Sequence, residues 1–251
     1  MNIVLIGAGN VATQLGTALQ EKGFPIVQVY SHTLASAKSL GSQLQVDYTN
    51  QIKAIRTDAD IYFFAVKDSV LPEILKSLPA LSGLLVHTAG SIPMDVFAGY
   101  SGRYGVLYPL QTFSKSRKIS LDTVPLFIEA NHPADENLLE EIALSLSNRV
   151  IRLTSEKRKH LHLAAVFACN FTNHLYATAA QILEEQDLPW DVLLPLIEET
   201  AAKVKDLHPK EAQTGPAVRY DKNVIDKHLA MLKNDPGQQE IYRMLSQSIR
   251  N

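Results

Sequence analysis

Short apolar runs alternate with helical patterns over about the first 150 residues of the chain. Several runs are apolar at nearly every position, which is typical of strands covered on both faces. The runs are NIVLIG (2–7), IVQVYS (26–31), IYFFAV (61–66), LLVHT (84–88), YGVLY (104–108), PLFIEA (125–130) and RVIRL (149–153). Because helical patterns separate many of them, we expect a mostly parallel sheet with helices on both faces.

The pattern changes after about residue 154, where the β-rich runs stop. Four helices are expected there, over 156–186, 189–207, 221–233 and 237–249. The first of them contains neither proline nor glycine, and the second should bend near Pro195. The sequence therefore predicts an α/β domain over residues 1–154, followed by an all-α domain over residues 155–251 for the substrate or for dimerisation.

A glycine-rich turn follows the first apolar run. The stretch IVLIGAGNVATQLG places Gly7 and Gly9 after a strand and Ala12 at the opening of a helix. A tight turn needs Gly7, close approach of a pyrophosphate needs Gly9, and a small Ala12 lets the helix pack on the strand. The helix N-terminus then offers free N–H groups to phosphate. We expect a dinucleotide site here, and a tight turn without a ligand is the alternative.

The second apolar run ends without the acidic residue that binds the ribose hydroxyls in NAD sites. No Asp or Glu lies between Val29 and Lys38. Ser31, His32 and Thr33 can instead donate hydrogen bonds to a 2′-phosphate, and Lys38 adds positive charge. NADP is therefore the expected cofactor. The alternative is that these residues only connect and cap the next helix.

Polar and small residues follow the later runs. Ligands of an open parallel sheet bind outside the carboxyl ends of its strands, so these residues should gather around the glycine turn. They are Lys67, Asp68 and Ser69 after the third run, His87 to Ser91 at the fourth, and Tyr108 to Thr112 at the fifth. Gln111 is the candidate substrate contact among them.

The predicted helix over 156–186 is apolar but carries polar side chains. Residues eleven apart on an α-helix differ in direction by about 20°, so His162 and Asn173 share a face, with Asn170 within a quarter-turn. Buried polar groups need partners. The candidate catalytic residues are therefore His162, Asn170 and Asn173: His162 would protonate a carbonyl or imine, and Asn170 would orient it. The alternative is a structural role in capping loops or pairing across a subunit interface.

Two sets of positive charges have open interpretations. Lys157, Arg158 and Lys159 fall in the first helical turn, where the dipole disfavours cations. A solvated helix start or an anionic partner would explain them. Arg219 could bind a substrate carboxylate through two parallel hydrogen bonds, or it could pair with Asp221.

Composition narrows the class of protein. The chain is 46% hydrophobic and 20% charged with a net charge of −2, which gives no reason to expect binding to nucleic acid or a membrane surface. Its single cysteine forms no internal disulfide, and no run suits a signal peptide or a membrane span. We expect a cytoplasmic protein without a metal site, because the other histidines lack ligand spacing. The long apolar helix, about 46 Å in length, predicts a homodimer through the helical domains.

Several motifs resemble known reductases. GAGNVA, AVKD (65–68) and HTAGS (87–91) resemble the NADP-binding halves of pyrroline-5-carboxylate reductases and deazaflavin-dependent NADP reductases. YPLQTF (108–113), HLAAVFACNF (162–171) and TGPAVRYD (214–221) are more specific. Together they resemble, over nearly the whole chain, a largely uncharacterised family of NADP oxidoreductases. That family has a Rossmann-like first domain and a helical second domain of unassigned function.

The resemblance implies a set of cofactor contacts. They are Gly7, Gly9, Asn10, Val11 and Ala12 for the dinucleotide, Ser31, His32 and Thr33 for the adenosine phosphate, Val66 and Lys67 for the ribose and nicotinamide, and His87, Thr88 and Ala89 nearby. Hydroxyacid dehydrogenases and ketopantoate reductases of similar fold carry a lysine one turn before an asparagine on the corresponding helix. If Asn170 is that asparagine, Val166 replaces the lysine.

The function predicted is that of an NADP-dependent oxidoreductase. It would transfer a hydride between the nicotinamide and a small carbonyl or imine substrate, with a carboxylate on the substrate as a further expectation. The missing lysine supports the alternative of an NADP(H)-binding sensor without turnover.

Overall fold

Eight strands form one sheet in the computed structural model, which describes residues 1–250. The strands are β1 (Ile3–Ile6), β2 (Ile26–Tyr30), β3 (Asp47–Thr49), β4 (Ile61–Phe64), β5 (Leu84–His87), β6 (Tyr104–Pro109), β7 (Leu126–Ala130) and β8 (Val150–Arg152). Their order is β3-β2-β1-β4-β5-β6-β7-β8. Every neighbouring pair is parallel except β6 and β7. All seven predicted runs form strands, and the Rossmann-like fold class is confirmed.

Helices cover both faces of the sheet. They are α1 (Asn10–Glu21), α2 (Leu34–Leu44), α3 (Leu71–Ser77) and α4 (Pro133–Leu146). Ile3 and Leu5 of β1 belong to one hydrophobic core, whereas Val4 and Ile6 belong to the other. This alternation follows from the two-residue period of a strand. It explains why the run is apolar at every position.

The edge strand β3 was not predicted from the sequence. Its residues are Asp, Tyr and Thr, and none of the three is buried. An edge strand without a buried face leaves no apolar alternation to detect. Backbone pairing with β2 is what holds it in the sheet.

The helix predicted over 156–186 is present as three consecutive segments. They are α5 (Ser155–Ala165), a π-helical segment (Val166–Phe171) and α6 (Thr172–Glu184). The π-helical segment was not predicted. A π turn closes hydrogen bonds one residue further along the chain than an α turn, so it changes the direction of every later side chain. The prediction that His162 and Asn173 share a face required an unbroken α-helix and loses its basis.

The chain divides into two compact units, Met1–Asn170 and a second unit that starts at Phe171. The second unit contains, after α6, a 3₁₀ turn (Trp190–Leu193), α7 (Leu194–Asp206), α8 (Pro209–Ala212), α9 (Lys222–Met231) and α10 (Pro236–Arg250). Pro195 lies in the first turn of α7, directly after the 3₁₀ turn, where a missing N–H leaves no hydrogen bond unmade. The bend expected there stays a prediction. The short helix α8 lies between two of the predicted helices and was not itself predicted. Within residues 1–250, none of the helices has the length and apolar character needed to cross a membrane.

Candidate active site

The glycine-rich turn joins β1 to α1. Gly7 has φ +120°, and a Cβ at this position would lie 2.3 Å from the Ala65 carbonyl oxygen. Both facts require glycine. A Cβ on Gly9 would meet no atom within 4 Å, so the space in front of the α1 N-terminus is open. Gly9 is the N-cap and brings no capping side chain. This arrangement fits a phosphate group bound by first-turn N–H groups.

A cleft of about 820 Å³ opens beside this turn, within the first unit. It lies at the carboxyl ends of β1, β4, β5 and β6, and α5 with the π-helical segment forms another wall. The lining residues are Gly9 to Val11, Ala65 to Asp68, Thr88 to Gly90, Tyr108 to Thr112, His162, Ala165, Ala168, Cys169 and Asn170. Its volume is that of a typical small-molecule site.

Many of the predicted site residues line this cleft. They are Gly9, Asn10, Val11, Val66, Lys67, Thr88, Ala89, Gln111, His162 and Asn170. Six other predicted residues do not line the cleft. Gly7 and Ala12 shape the glycine turn, and His87 is buried. The remaining three follow β2 and are Ser31, His32 and Thr33. Asn173 and Arg219 belong to the second unit, and both are exposed.

Asn10 has a structural contact in addition to its place in the cleft. Its Nδ2 donates to the Phe113 carbonyl at 2.8 Å. One turn later, Gln14 Nε2 donates to the carbonyls of Ser114 at 2.8 Å and Arg117 at 3.0 Å. These bonds hold the segment that follows β6 against α1, and so they hold one edge of the cleft.

The segment predicted to bind the 2′-phosphate includes a helix cap. Thr33 is the N-cap of α2: its hydroxyl donates to Ser36 Oγ at 2.9 Å and accepts from the Ser36 N–H at 3.4 Å. Capping uses both hydrogen-bonding functions of this hydroxyl. Ser31 and His32 are the residues of this segment whose side chains remain to bind a phosphate.

His87 cannot act as an exposed cofactor contact, because its side chain is fully buried. Burial lowers the pKa of His87 to about 3, and the nearby Arg158 charge acts in the same direction. The ring is therefore neutral at ordinary pH. Its Nδ1 accepts from the Ala89 N–H at 3.2 Å, and its ring packs against Phe97. His87 thus supports the turn that lines the cleft.

The cleft contains a tyrosine–histidine pair that the sequence did not reveal. The Tyr108 hydroxyl lies 3.0 Å from His162 Nδ1, and their rings meet edge to face. A Cβ on Gly90 would lie 2.5 Å from the same Nδ1, so the Gly90 backbone packs directly against the imidazole. Burial raises the pKa of Tyr108, and the Arg158 charge opposes this rise. His162 was predicted as a proton donor. Its partner Tyr108 was not predicted, because the two residues lie 54 positions apart in the chain.

Arg158 is buried next to this pair, which corrects the prediction of a solvated helix start at this residue. Its side chain is 1% exposed, and Nη1 donates to Glu129 at 2.8 Å. Nη2 donates to the Ile92 carbonyl at 2.6 Å and to Ser155 Oγ at 3.1 Å. Glu129 also accepts from the Ser155 N–H and hydroxyl. The anionic partner is therefore a carboxylate of the protein itself.

Two family models match the sequence. Residues 124–249 match a domain of unknown function, DUF2520. Residues 2–88 match the family described as NADP oxidoreductase, coenzyme F420-dependent. The chain belongs to the NADP oxidoreductase family that carries this C-terminal domain. No curated protein sequence matches the chain.

Solved structures agree with this family. A Bacteroides fragilis protein assigned to the NADP oxidoreductases is 53% identical, with a TM-score of 0.94 over 99% of this chain and 97% of that one. An imine reductase of Myxococcus stipitatus, in complex with NADP⁺, is 16% identical, with a TM-score of 0.70 over 100% and 92% of the two chains. A 1-pyrroline-5-carboxylate reductase of Streptococcus pyogenes is 13% identical, with a TM-score of 0.65 over 100% and 98%. The last two similarities show the fold.

Proposed function

We propose that this protein is an NADPH-dependent reductase of a small carbonyl or imine compound. The observation that carries the proposal is the Tyr108–His162 pair, which faces the same cleft as the glycine turn. A hydride donor and a proton donor must meet at one substrate, and this cleft offers a place for both.

The residues of the first unit fit a bound dinucleotide. The open space in front of Gly9 and the α1 N-terminus would hold the pyrophosphate. Val66, Lys67 and Ala89 line the cleft where the ribose and nicotinamide would lie. Ser31 and His32 would contact the 2′-phosphate. When bound, NADPH supplies the hydride.

The protein would supply the proton and the orientation of the substrate. When His162 Nδ1 carries a hydrogen, it donates to the Tyr108 oxygen and leaves the tyrosine hydroxyl hydrogen free for the substrate. Asn170 lines the same cleft and can donate or accept a hydrogen bond to hold the substrate. Val166 has no titratable group, so the pair replaces the acid–base lysine of related reductases.

A carboxylate on the substrate remains a prediction. The candidate partners are Gln111, which lines the cleft, and Arg219, which is exposed in the second unit. Arg219 does not pair with Asp221, whose carboxylate accepts instead from the Val224 N–H at the start of α9. Within residues 1–250, no side chain forms an ion pair with the Arg219 guanidinium, so its donors are available to an anion.

We also propose that the protein is a homodimer through its helical unit. Met231 is 76% exposed and Leu196 is 63% exposed. Among the hydrophobic side chains described in this unit, only Ala217 is buried. Apolar surface on this scale is expected to be covered by a partner, and a second copy is the simplest one. Light scattering at micromolar concentration should give twice the chain mass, and a monomer would refute the dimer.

The functional proposal is tested by parallel titrations of the purified protein with NADPH and NADH. We expect tighter binding of NADPH, followed by its oxidation in the presence of carbonyl or imine compounds. Tyr108→Phe and His162→Ala should lower kcat more than they change the affinity for NADPH. Binding without oxidation across a broad panel would favour the sensor, and binding of neither cofactor would refute the reductase.

A further inference from the structure

The donor pair lies beside a buried positive charge. Arg158 and His162 are four residues apart on α5, so their side chains leave the same face of the helix as close neighbours. His162 contacts Tyr108, and Arg158 is anchored by Glu129 and the Ile92 carbonyl. The cation therefore has a set position next to the proton donor.

This charge affects the ionisation of Tyr108. Burial raises the pKa of Tyr108, and the nearby Arg158 guanidinium opposes this rise, so Arg158 favours negative charge on the tyrosine oxygen. The charged residue that acts in the opposite direction is Asp68, which is exposed at the cleft rim and accepts a hydrogen bond from Ser91. Water and salt screen an exposed carboxylate more effectively than a buried guanidinium. Glu129 balances part of the Arg158 charge through direct contact.

The two candidate reactions differ in what they need from such a site. Adding a hydride to a carbonyl carbon moves the π electron pair to the oxygen, and the oxygen then takes the Tyr108 hydroxyl proton. Negative charge develops first on the substrate oxygen and then on the tyrosine oxygen, where the His162 N–H stabilises it. A protonated imine already carries its proton, so hydride addition yields a neutral amine. It needs no donor, and its positive charge is repelled by Arg158.

We infer that the reacting group of the substrate is a neutral ketone or aldehyde, and that Arg158 disfavours a cationic iminium in the cleft. This inference rests on the proposed function and narrows its substrate class. Arg158 acts here as a positioning and specificity residue, because it contacts Glu129 and the Ile92 carbonyl and does not line the cleft.

A pair of ligands with opposite charge tests the inference without turnover. 4-Nitrophenol becomes yellow on ionisation and mimics the developing alkoxide, whereas 4-nitrobenzylamine is a cation of similar size. Each is titrated into the NADP⁺-loaded protein by calorimetry, with absorbance recorded for the phenol. We expect the phenol to bind in its ionised, yellow form. We expect the ammonium ligand to bind at least about tenfold more weakly, in line with the same charge effect.

Variants connect this preference to Arg158. Arg158→Met combined with Glu129→Gln removes both charges of the buried pair and should abolish the preference for the phenolate. Arg152→Met removes an exposed arginine that pairs with Glu136 and Glu140, and it should leave the preference unchanged. If the double variant does not fold, the wild-type comparison is repeated with NADPH in place of NADP⁺, because a preference for the phenolate that persists without the nicotinamide charge belongs to the protein.

Equal or tighter binding of the ammonium ligand, or no binding of either ligand, overturns the inference. Failure of the proposed function has different signatures: NADP⁺ does not bind in the loading step, or NADPH binds but no carbonyl or imine compound oxidises it. A kinetic comparison adds a second readout. A cyclic N-methyl iminium needs no proton, so its reduction at the rate of the matched ketone, unaffected by Tyr108→Phe, would also overturn the inference.

Discussion

Replacing Glu129 with alanine should destabilise the first unit strongly. The substitution leaves the guanidinium of Arg158, which is 0% exposed, without its carboxylate, and it also leaves the Ser155 N–H without an acceptor. Removing one partner of a buried ion pair costs about 3–5 kcal/mol. For a protein of this size, about 2–4 °C in Tm accompanies each kcal/mol, so Tm should fall by roughly 6–20 °C.

The matched control is Glu140→Ala. Glu140 pairs with Arg152 through two hydrogen bonds, but this pair is open to solvent, with 35% of the Glu140 side chain and 46% of the Arg152 side chain exposed. Exposed pairs contribute about 0–1 kcal/mol, so this variant should lose little stability. Combining Glu129→Ala with Arg158→Met should recover part of the loss, because no unpaired charge then remains buried.

Urea unfolding followed by far-ultraviolet circular dichroism is the suitable assay. The single tryptophan, Trp190, lies in the second unit and would not report on the sheet. If Glu129→Ala loses no more stability than Glu140→Ala, the buried pair is not the structural element that its geometry indicates.

Four further variants have expected outcomes. Gly7→Ala should lower Tm and NADPH affinity together, because its Cβ would meet the Ala65 carbonyl at 2.3 Å. Gly9→Ala should leave Tm unchanged but weaken NADPH binding, and equal losses of Tm in both variants would contradict this. Gly90→Ala should lower kcat more than it changes KM, because its Cβ would displace His162 by contact at 2.5 Å. The pKa of His87 falls from 6.5 to about 3 on folding. Below pH 6.5 the unfolded chain therefore binds more protons than the folded protein. Acidification to about pH 4.5 should lower the free energy of unfolding by about 2–3 kcal/mol, and His87→Leu should not show this loss.

The features that could be predicted from the sequence are those that depend on residues close together in the chain. The turn at Gly7 and Gly9 needs residues without side chains at two nearby positions, and the buried strands need continuous apolar runs. Both requirements are local, so both can be read from the chain. The same argument explains why β3 escaped prediction, since nothing is buried there to leave a pattern.

The candidate site depended on contacts that are distant in sequence. Tyr108 and His162 meet only because the end of β6 lies opposite α5, and no spacing rule connects them. Arg158 appeared to be a surface charge because its partner, Glu129, belongs to β7. Of the three polar residues predicted as catalytic on the long helix, His162 and Asn170 line the cleft and Asn173 does not. The sequence could not exclude Asn173, because the π-helical segment has no sequence signal that we recognised.

The bonds between Gln14 and the segment after β6 have a consequence for folding. They join residues that are 100 and 103 positions apart in the chain. Closing so large a loop is entropically costly, and contacts of this kind form late. The helix whose N-terminus would receive the pyrophosphate is therefore fastened to its cleft only after most of the sheet has been assembled. During synthesis, a nascent chain would complete its cofactor site only after β6 and the segment that follows it have left the ribosome.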